Sequence, residues 1–247
     1  MDGDYGQPND GNKALKVVGI VLASLFALTL VCCGGAWFLG GRLVTEISQA
    51  TGAQVQGSGV PAVQERLVTD FTGVETEGLI DVEITVGPDW KVMVRADDNI
   101  LPLIATEVRG NTLHFTTRGS YDAQTDVHAT ITMPAVDHVT TRGLGDVTVT
   151  GVSGASFTAE VHGLGSIAAT GTVDAVSVTS KGQGDADLFG LVARTAEVSI
   201  NGIGDVEVHA TESLKAEVNG MGDVTYKGNP PQVEKQVNGI GDVEPAE

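Results

Sequence analysis

A short motif with two glycines recurs at nearly constant spacing along the second half of this chain. "RGLGDVTV" begins at Arg142, "NGIGDVEV" at Asn201, "NGMGDVTY" at Asn219 and "NGIGDVEP" at Asn238. The first glycines of these copies and of two less regular ones are Gly143, Gly163, Gly182, Gly202, Gly220 and Gly239. Intervals of 18 to 20 residues are typical of a solenoid, in which each repeat forms one turn stacked on the next.

Apolar and polar residues alternate with a period of two on both sides of each glycine pair. Val147 and Val149 flank Thr148 after one pair, and "AEV" at Ala159 precedes the next. This pattern predicts a strand, a glycine corner and another strand in every repeat. A unit of about 19 residues is too short for tetratricopeptide, ankyrin or propeller repeats, and the Leu/Asn ladder of leucine-rich repeats is absent. The sequence therefore predicts an all-β, right-handed parallel β-helix with rungs of about 19 residues.

The glycine pairs are expected at corners where the backbone needs a positive φ angle or approaches its neighbour closely. The residue between the glycines is apolar in five copies, and we expect it to turn inward and fill the corner. Gln183 breaks this rule. The five apolar residues are Leu144, Leu164, Ile203, Met221 and Ile240.

An apolar run near the N-terminus predicts a membrane anchor. Val17 to Leu39 are 23 consecutive uncharged residues, enough for one transmembrane α-helix across a hydrocarbon core of about 30 Å. Lys13 and Lys16 precede the run and Arg42 follows it, which favours a cytoplasmic N-terminus and a C-terminal domain outside the cytoplasm. Two alternatives remain open, a cleaved signal peptide and a lipidated Cys33. Either alternative also exports the domain.

These patterns divide the chain into four parts. Residues 1–16 read as a disordered polar tail, 17–39 as the transmembrane helix, 40–65 as a linker or stalk, and 66–247 as the β-helix domain. Within the last part, Arg66 to Pro134 shows strand alternation without the glycine motif. We interpret it as irregular opening rungs that cover one end of the solenoid.

The charge of the chain excludes one class of partner. From Leu43 onward there are 29 Asp and Glu against 11 Lys and Arg, and the formal net charge of the whole chain is -18. Such a surface repels phosphate backbones, so nucleic acid is not an expected partner. The same surface attracts cations.

Stacked rungs are expected to align the acid that follows each glycine pair into a column. We interpret this column as structural, stabilised by solvation, by hydrogen bonds from corner amides to the carboxylates, and by partial neutralisation from Arg142 and Lys181, which precede their aspartates by four positions. The alternative is a divalent cation site, with Ca²⁺ preferred because it takes oxygen ligands. Its predicted ligands are Asp205, Asp223 and Asp242, where asparagine replaces the basic residue four positions earlier. No other cofactor is expected.

Catalytic motifs are absent from the sequence. It contains no GxSxG elbow, no phosphate loop and no HxxxH zinc spacing, and the five histidines are scattered. Periodic carboxylates are what stacking alone produces. We therefore predict a non-catalytic protein, with a polysaccharide lyase or hydrolase as the alternative.

Several further stretches resemble the putative auto-transporter adhesin head GIN domain family. They are "FTGVETEGLIDVEITVG" from Phe71, "ADDNILPLIATEVRGNTLHF" from Ala96, "TITMPAV" from Thr130 and the recurrent "NGIGDV" turns. The resemblance covers about Arg66 to Glu244 and implies a right-handed β-helix-like fold in an exported or envelope-bound protein. It supplies no catalytic residues. Together with the predicted anchor, it indicates a membrane-anchored bacterial-type cell-envelope module for adhesion or scaffolding, binding an envelope polysaccharide or protein.

Overall fold

The computed structural model of the protein describes residues 54–246. In this part of the chain the regular structure is almost entirely β, with one short 3₁₀ turn at Leu101–Leu103. The strands are β1 (Val55–Gln56), β2 (Pro61–Arg66), β3 (Gly73–Thr76), β4 (Asp81–Val86), β5 (Lys91–Asp97), β6 (Ile104–Arg109), β7 (Thr112–Thr117), β8 (Tyr121–Asp122), β9 (His128–Met133), β10 (His138–Thr141), β11 (Val147–Val161), β12 (Ile167–Ser180), β13 (Ala186–Ile200), β14 (Val206–Val218), β15 (Val224–Lys227), β16 (Gln232–Val237) and β17 (Val243–Pro245).

The strands from β10 onward wind into a solenoid of about five turns. On one side of each corner the parallel order is β4, β11, β12, β13, β14, β15 and β17. On the other side β3 pairs with β10, β10 pairs with the second half of β11, the second halves of β11 to β14 pair in turn, and β16 pairs with the second half of β14. The prediction of an all-β parallel solenoid is confirmed. Its right-handedness stays a prediction.

Columns of equivalent side chains fill the interior. Val147 lies beside Val82 and Ile167, and the column continues through Ala186 and Val206. All five side chains are buried. Because two parallel walls face each other across a narrow space, small and β-branched residues suit these positions, which agrees with the low aromatic content of 4%.

Antiparallel strands cover the end of the solenoid nearest the N-terminus of the domain. β7 and β9 form the outermost parallel rung, against β3 and β4, and β6 and β5 pair antiparallel with them. β2 then extends the sheet beyond β5. The irregular region thus belongs to the same 15-stranded sheet and caps it. At the opposite end, β16 and β17 have no further strand beyond them among residues 54–246.

The folded domain begins earlier than the predicted boundary at residue 66. β2 occupies the last part of the predicted linker 40–65 and pairs with β5 over its whole length, while β1 pairs with β8. The unpaired edge of β5 needs a partner, and β2 supplies one. The predicted tail 1–16, the predicted helix 17–39 and residues 40–53 of the linker lie outside the described residues. Within 54–246, the structure contains no helix with the length and hydropathy that a membrane span requires.

Candidate functional site

The residue between the two glycines points outward at every corner, so the prediction that it fills the corner is wrong. Leu144 and Leu164 are 50% and 54% exposed, and Ile240 is 71% exposed. The reason is that the period of two continues through the corner. The inward positions are occupied by the glycines themselves, which leaves the residue between them on the outer face.

Close stacking of the backbone explains the glycines. A Cβ atom on Gly163 would lie only 2.0 Å from the carbonyl oxygen of Gly143 in the preceding rung. Gly204 has a φ of +139° in addition, a conformation that side chains other than that of glycine disfavour. Both predicted reasons for glycine therefore apply. Close approach applies along the column formed by the first glycine of each pair. A positive φ applies to the second glycine of the pair in the last three rungs.

The outward corner residues form a continuous stripe, which we call the corner ladder. Successive corners are held in register by backbone hydrogen bonds such as Leu164 N–H to Gly143 O, 2.9 Å, and by parallel bridges of Met221 to Ile203 and Ile240. The ladder is apolar except at one position. Its members are Leu79, Leu144, Leu164, Gln183, Ile203, Met221 and Ile240.

Two adjoining grooves run along the ladder. The first has a volume of about 570 Å³ and is lined by Gln54, Leu79, Tyr121 and Leu144, among others. The second has a volume of about 440 Å³ and extends from Leu164 to Ile203. These two grooves are thus apolar at their floor and follow the corners.

The predicted acid column exists and lies beside the ladder. We call it the carboxylate row. Each member except Asp242, in the last rung, uses one side-chain oxygen to accept a hydrogen bond from the backbone amide of its equivalent in the next rung. Asp205 Oδ1 accepts from Asp223 N–H at 2.8 Å, and Asp223 Oδ1 accepts from Asp242 N–H at 2.8 Å. The members are Asp81, Asp146, Ser166, Asp185, Asp205, Asp223 and Asp242.

Ser166 shows that this row is held by hydrogen bonding and not by charge. Its amide donates to Asp146 Oδ1 at 2.8 Å, and its hydroxyl takes the place of the carboxylate toward the Asp185 amide at 3.4 Å. A side-chain oxygen is what the position requires. The corner amides, which the sequence predicted as partners, are therefore the observed donors.

Calcium binding by Asp205, Asp223 and Asp242 stays a prediction. One oxygen of Asp205 and one of Asp223 already accept backbone hydrogen bonds, and all three residues are exposed. Across residues 54–246 the structure brings no three His, Cys, Asp or Glu side chains into an arrangement that could hold a metal ion.

A third row, which we call the donor row, flanks the ladder on the opposite side from the carboxylates. Its asparagines hydrogen-bond along the column, with Asn219 Nδ2 donating to Asn201 Oδ1 at 3.1 Å and Asn238 Nδ2 to Asn219 Oδ1 at 2.9 Å. Amide ladders of this kind stabilise stacked parallel strands. The members are Arg142, His162, Lys181, Asn201, Asn219 and Asn238.

Arg142 does not neutralise Asp146, as its spacing in the sequence suggested. Its Nε lies 3.0 Å from Glu75 Oε1 on the neighbouring rung. Burial acts to raise the pKa of the Glu75 carboxyl, but the hydrogen bond and charge of Arg142, with a smaller contribution from His114, lower it below its ordinary value. Lys181 makes no ion pair with any of the described residues.

One hydrogen-bonded network resembles a catalytic arrangement that the sequence did not reveal. The His138 ring accepts or donates at both nitrogens, with Nε2 2.8 Å from Thr112 Oγ1 and Nδ1 against Asp137 Oδ1. Gly73 lies beneath the ring, where a Cβ would collide with it. However, Thr112 belongs to β7, whose backbone amides are engaged in pairing with β3 and β6 and are therefore not available to stabilise an oxyanion.

The sequence motif did not reveal the first corner. Leu79 belongs to the ladder and Asp81 Oδ1 accepts from the Asp146 amide at 2.9 Å, yet isoleucine stands at the position of the second glycine. The signal that could have found it is the shared spacing from Gly78 to an apolar residue and then to an acid. Without the second glycine, the motif was not recognised.

Comparisons of the sequence and of the structure with known proteins both support the fold. The family described as putative auto-transporter adhesin, head GIN domain, matches residues 70–230. No curated protein is significantly similar to the chain. Among solved structures, a putative adhesin from Bacteroides fragilis is 24% identical with a TM-score of 0.67, covering 78% of this chain and 100% of its own.

A second solved structure is a putative lipid binding protein from Parabacteroides distasonis, 22% identical with a TM-score of 0.50, again covering 78% of this chain and 100% of its own. At these identities the two structures show a shared fold. The family match spans well over half of the chain, with the strands, corners and cap described above. The chain therefore belongs to the putative auto-transporter adhesin head GIN domain family.

Proposed function

We propose that this protein is a non-catalytic binding module of the cell envelope, held at a membrane through Val17–Leu39, and that the corner ladder is its contact surface. The observation that carries the proposal is the exposed stripe of Leu, Ile and Met side chains along the corners, which only Gln183 interrupts. Soluble proteins rarely leave contiguous apolar surface uncovered unless a partner covers it. Family membership supports an adhesion-like, exported module.

The regularity of the ladder favours an extended partner with its own repeating contacts. Neighbouring strands lie about 4.8 Å apart, so seven corners span about 29 Å. Fixed backbone hydrogen bonds at each corner keep the stripe in place without any ordering on binding. A preorganised surface loses little conformational entropy when it associates.

The chemistry of the ladder favours a protein over a polysaccharide. Sugar rings pack best on exposed aromatic faces, whereas the ladder is aliphatic and the chain has an aromatic content of only 4%. Aliphatic side chains instead match those of another protein surface. Hydrolysis or elimination on a polysaccharide is not favoured either, because the carboxylates recur once per rung and use an oxygen for backbone hydrogen bonds.

Protection of a single cysteine in intact cells tests the proposal. In the full chain with Cys32→Ser and Cys33→Ser, Ile203→Cys places a thiol on the ladder and Ser153→Cys places one on an exposed strand position away from it. We expect a membrane-impermeant maleimide to label Ser153→Cys and to label Ile203→Cys several-fold more slowly. Equal labelling would show that the ladder is uncovered. Labelling of both only after permeabilisation would overturn the export of the domain.

Calcium binding at Asp205, Asp223 and Asp242 is a second proposal, supported by the exposed carboxylate row and the acidic surface. Titration calorimetry of the full chain in detergent tests it directly. Heat of binding that disappears in an Asp205→Asn, Asp223→Asn variant would support a site. No heat, together with no change in the melting temperature on adding chelator, would remove the proposal.

A further inference from the structure

Rows of opposite character lie on the two sides of the corner ladder. The donor row offers a guanidinium, an imidazole, an ammonium and three primary amides on one side, and the carboxylate row offers acceptors on the other. Along one rung the order is Lys181, Gln183, Asp185, and two rungs later it is Asn219, Met221, Asp223. These side chains are exposed at alternate positions through the corner, so a partner seated on the corner can reach all three rows.

A second copy of the chain can meet this surface face to face in two symmetric ways. If the two-fold axis runs along the ladder, the copies are parallel and the donor row of each faces the carboxylate row of the other. If the axis crosses the ladder, the copies are antiparallel and carboxylates face carboxylates. Like charges about 5 Å apart repel by roughly 1 kcal/mol per pair in water, so the antiparallel arrangement is disfavoured.

The parallel arrangement also accounts for the one polar member of the ladder. A residue on a two-fold axis meets its own copy, as leucine would meet leucine at residue 144. Gln183 would meet Gln183, and a carboxamide can both donate to and accept from its copy. A charged residue at this position would repel itself. The match between the donor row of one copy and the carboxylate row of the other begins at the second corner, because Glu77 occupies the donor position at the first corner.

We infer that the partner covering the corner ladder is a second copy of this chain, docked in parallel and in register, with the donor row of each copy against the carboxylate row of the other. This rests on the proposed function, since it names the partner of the same surface. It brings Lys181 of one copy near Asp185 of the other. It also leaves Gln54, where the described domain begins, at the same end of both copies.

With Gln54 at the same end of both copies, the two chains can be anchored in one membrane by the segment 17–39. The apolar strip is narrow, so the contact is below the size of a standard stable interface in dilute solution. Anchoring in a shared bilayer raises the effective concentration of one copy around the other. The dimer is therefore expected in the membrane, and the experiment uses the full chain there.

Cross-linking from single cysteines tests the register. In the Cys32→Ser, Cys33→Ser background, Leu144→Cys, Ile203→Cys and Ile240→Cys are each treated in membranes with a short bis-maleimide, which can span facing strands about 10 Å apart. We expect each variant to form a covalent dimer, because each thiol lies beside its own copy on the axis. Ser153→Cys is the control and should stay monomeric.

An antiparallel dimer would cross-link at Gln183→Cys, at the middle of the ladder, and not at Leu144→Cys or Ile240→Cys, and that result would overturn the inference. Lys181→Glu should reduce the cross-linked yield of Ile203→Cys several-fold, whereas Lys91→Glu on β5 should not. Unchanged yield with Lys181→Glu would contradict the pairing of the rows.

The labelling rate and the cross-linking of Ile203→Cys together distinguish a failure of the second-copy inference from a failure of the proposed function. If Ile203→Cys is protected from the impermeant maleimide but does not cross-link to itself, another partner covers the ladder and the second-copy inference fails alone. If Ile203→Cys is labelled as fast as Ser153→Cys and does not cross-link, both fail. Protection together with self-cross-linking supports both.

Discussion

The backbone amide of Asp223 donates a hydrogen bond of 2.8 Å to Oδ1 of Asp205, one rung earlier at the same corner. The same relationship links Asp185 to Asp205 and Asp223 to Asp242. Each carboxylate thus satisfies an amide that has no strand partner at the turn. This bond gives the repeated acid a structural role that does not depend on a bound ion.

Asp205→Ala and Asp205→Asn separate hydrogen bonding from charge. Alanine removes the acceptor of the Asp223 amide, and we expect it to lower the free energy of unfolding by about 0.5–1.5 kcal/mol. Asparagine keeps a carbonyl oxygen at the same position and should stay close to the wild type. Urea unfolding followed by circular dichroism measures both. If repulsion within the row dominated instead, both variants would be more stable than the wild type.

Gly163→Ala tests the close stacking of corners. The added Cβ would lie 2.0 Å from the Gly143 carbonyl oxygen, and backbone cannot move away from it without breaking the rung pairing. We expect a loss of about 3 kcal/mol or more, or failure to fold. The control is Gly110→Asn at the β6–β7 hairpin, where φ is +63° and no atom lies within 4 Å. Asparagine tolerates that conformation, so thermal unfolding should change little.

Lys235→Val tests how the open end of the solenoid is protected. Lys235 continues the buried column of Val198 and Ala216, and its Nζ lies 3.3 Å from the Val243 carbonyl oxygen. An inward-facing charge on the last strand discourages edge-to-edge pairing with another chain. We expect Lys235→Val to promote concentration-dependent association in light scattering. Lys215→Val, on the outer face of β14, should not, and equal association of the two variants would contradict this role.

Ser180→Ala is expected to stabilise the domain. The hydroxyl is fully buried between Val161 and Ile200 and has no hydrogen-bond partner. A buried unsatisfied hydroxyl costs free energy, so its removal should raise the free energy of unfolding by about 1 kcal/mol. Ser177→Ala, on the outer side of the same strand, should stay within about 0.5 kcal/mol of the wild type. A destabilised Ser180→Ala protein would indicate a polar partner such as a buried water.

The stability of the cap should depend on pH through Asp97. Its buried carboxylate accepts hydrogen bonds from the amides of Gly59, Gln124 and Thr125. Burial acts to raise the pKa of Asp97, but these hydrogen bonds outweigh it and the pKa lies below its ordinary value. A lowered folded-state pKa stabilises the protein above the unfolded value of about 3.9, and the gain is lost as the pH falls below it.

Asp97→Asn should therefore lower the melting temperature at pH 7 and show a shallower decline than the wild type below about pH 4. The exposed turn residue Asp89 offers a matched control, since Asp89→Asn removes a carboxylate without a buried hydrogen-bond network. Identical pH profiles for the wild type and Asp97→Asn would contradict the assignment.

The glycine spacing and the alternation around Val147 and Val206 were sufficient to predict parallel rungs, because both are properties of neighbouring residues. The cap was predicted only as a covering element. Its strand order, with β3 and β4 between the outer rung and β10, depends on pairings between distant segments. The extension of the domain into residues 54–65 has the same origin, since β2 gains its strand partner only when β5 is in place.

The outward direction of Leu144 shows which features the sequence determined and which ones only the tertiary structure decided. The sequence by itself determined the repeat length, the strand alternation and the alignment of the acids, since each follows from local spacing. Only the tertiary structure decided that the glycines face inward and the corner ladder outward, because this depends on how closely Gly163 approaches Gly143, twenty positions away in the chain. The same backbone contact leaves Leu144 and Ile203 on the surface, where they can meet a partner.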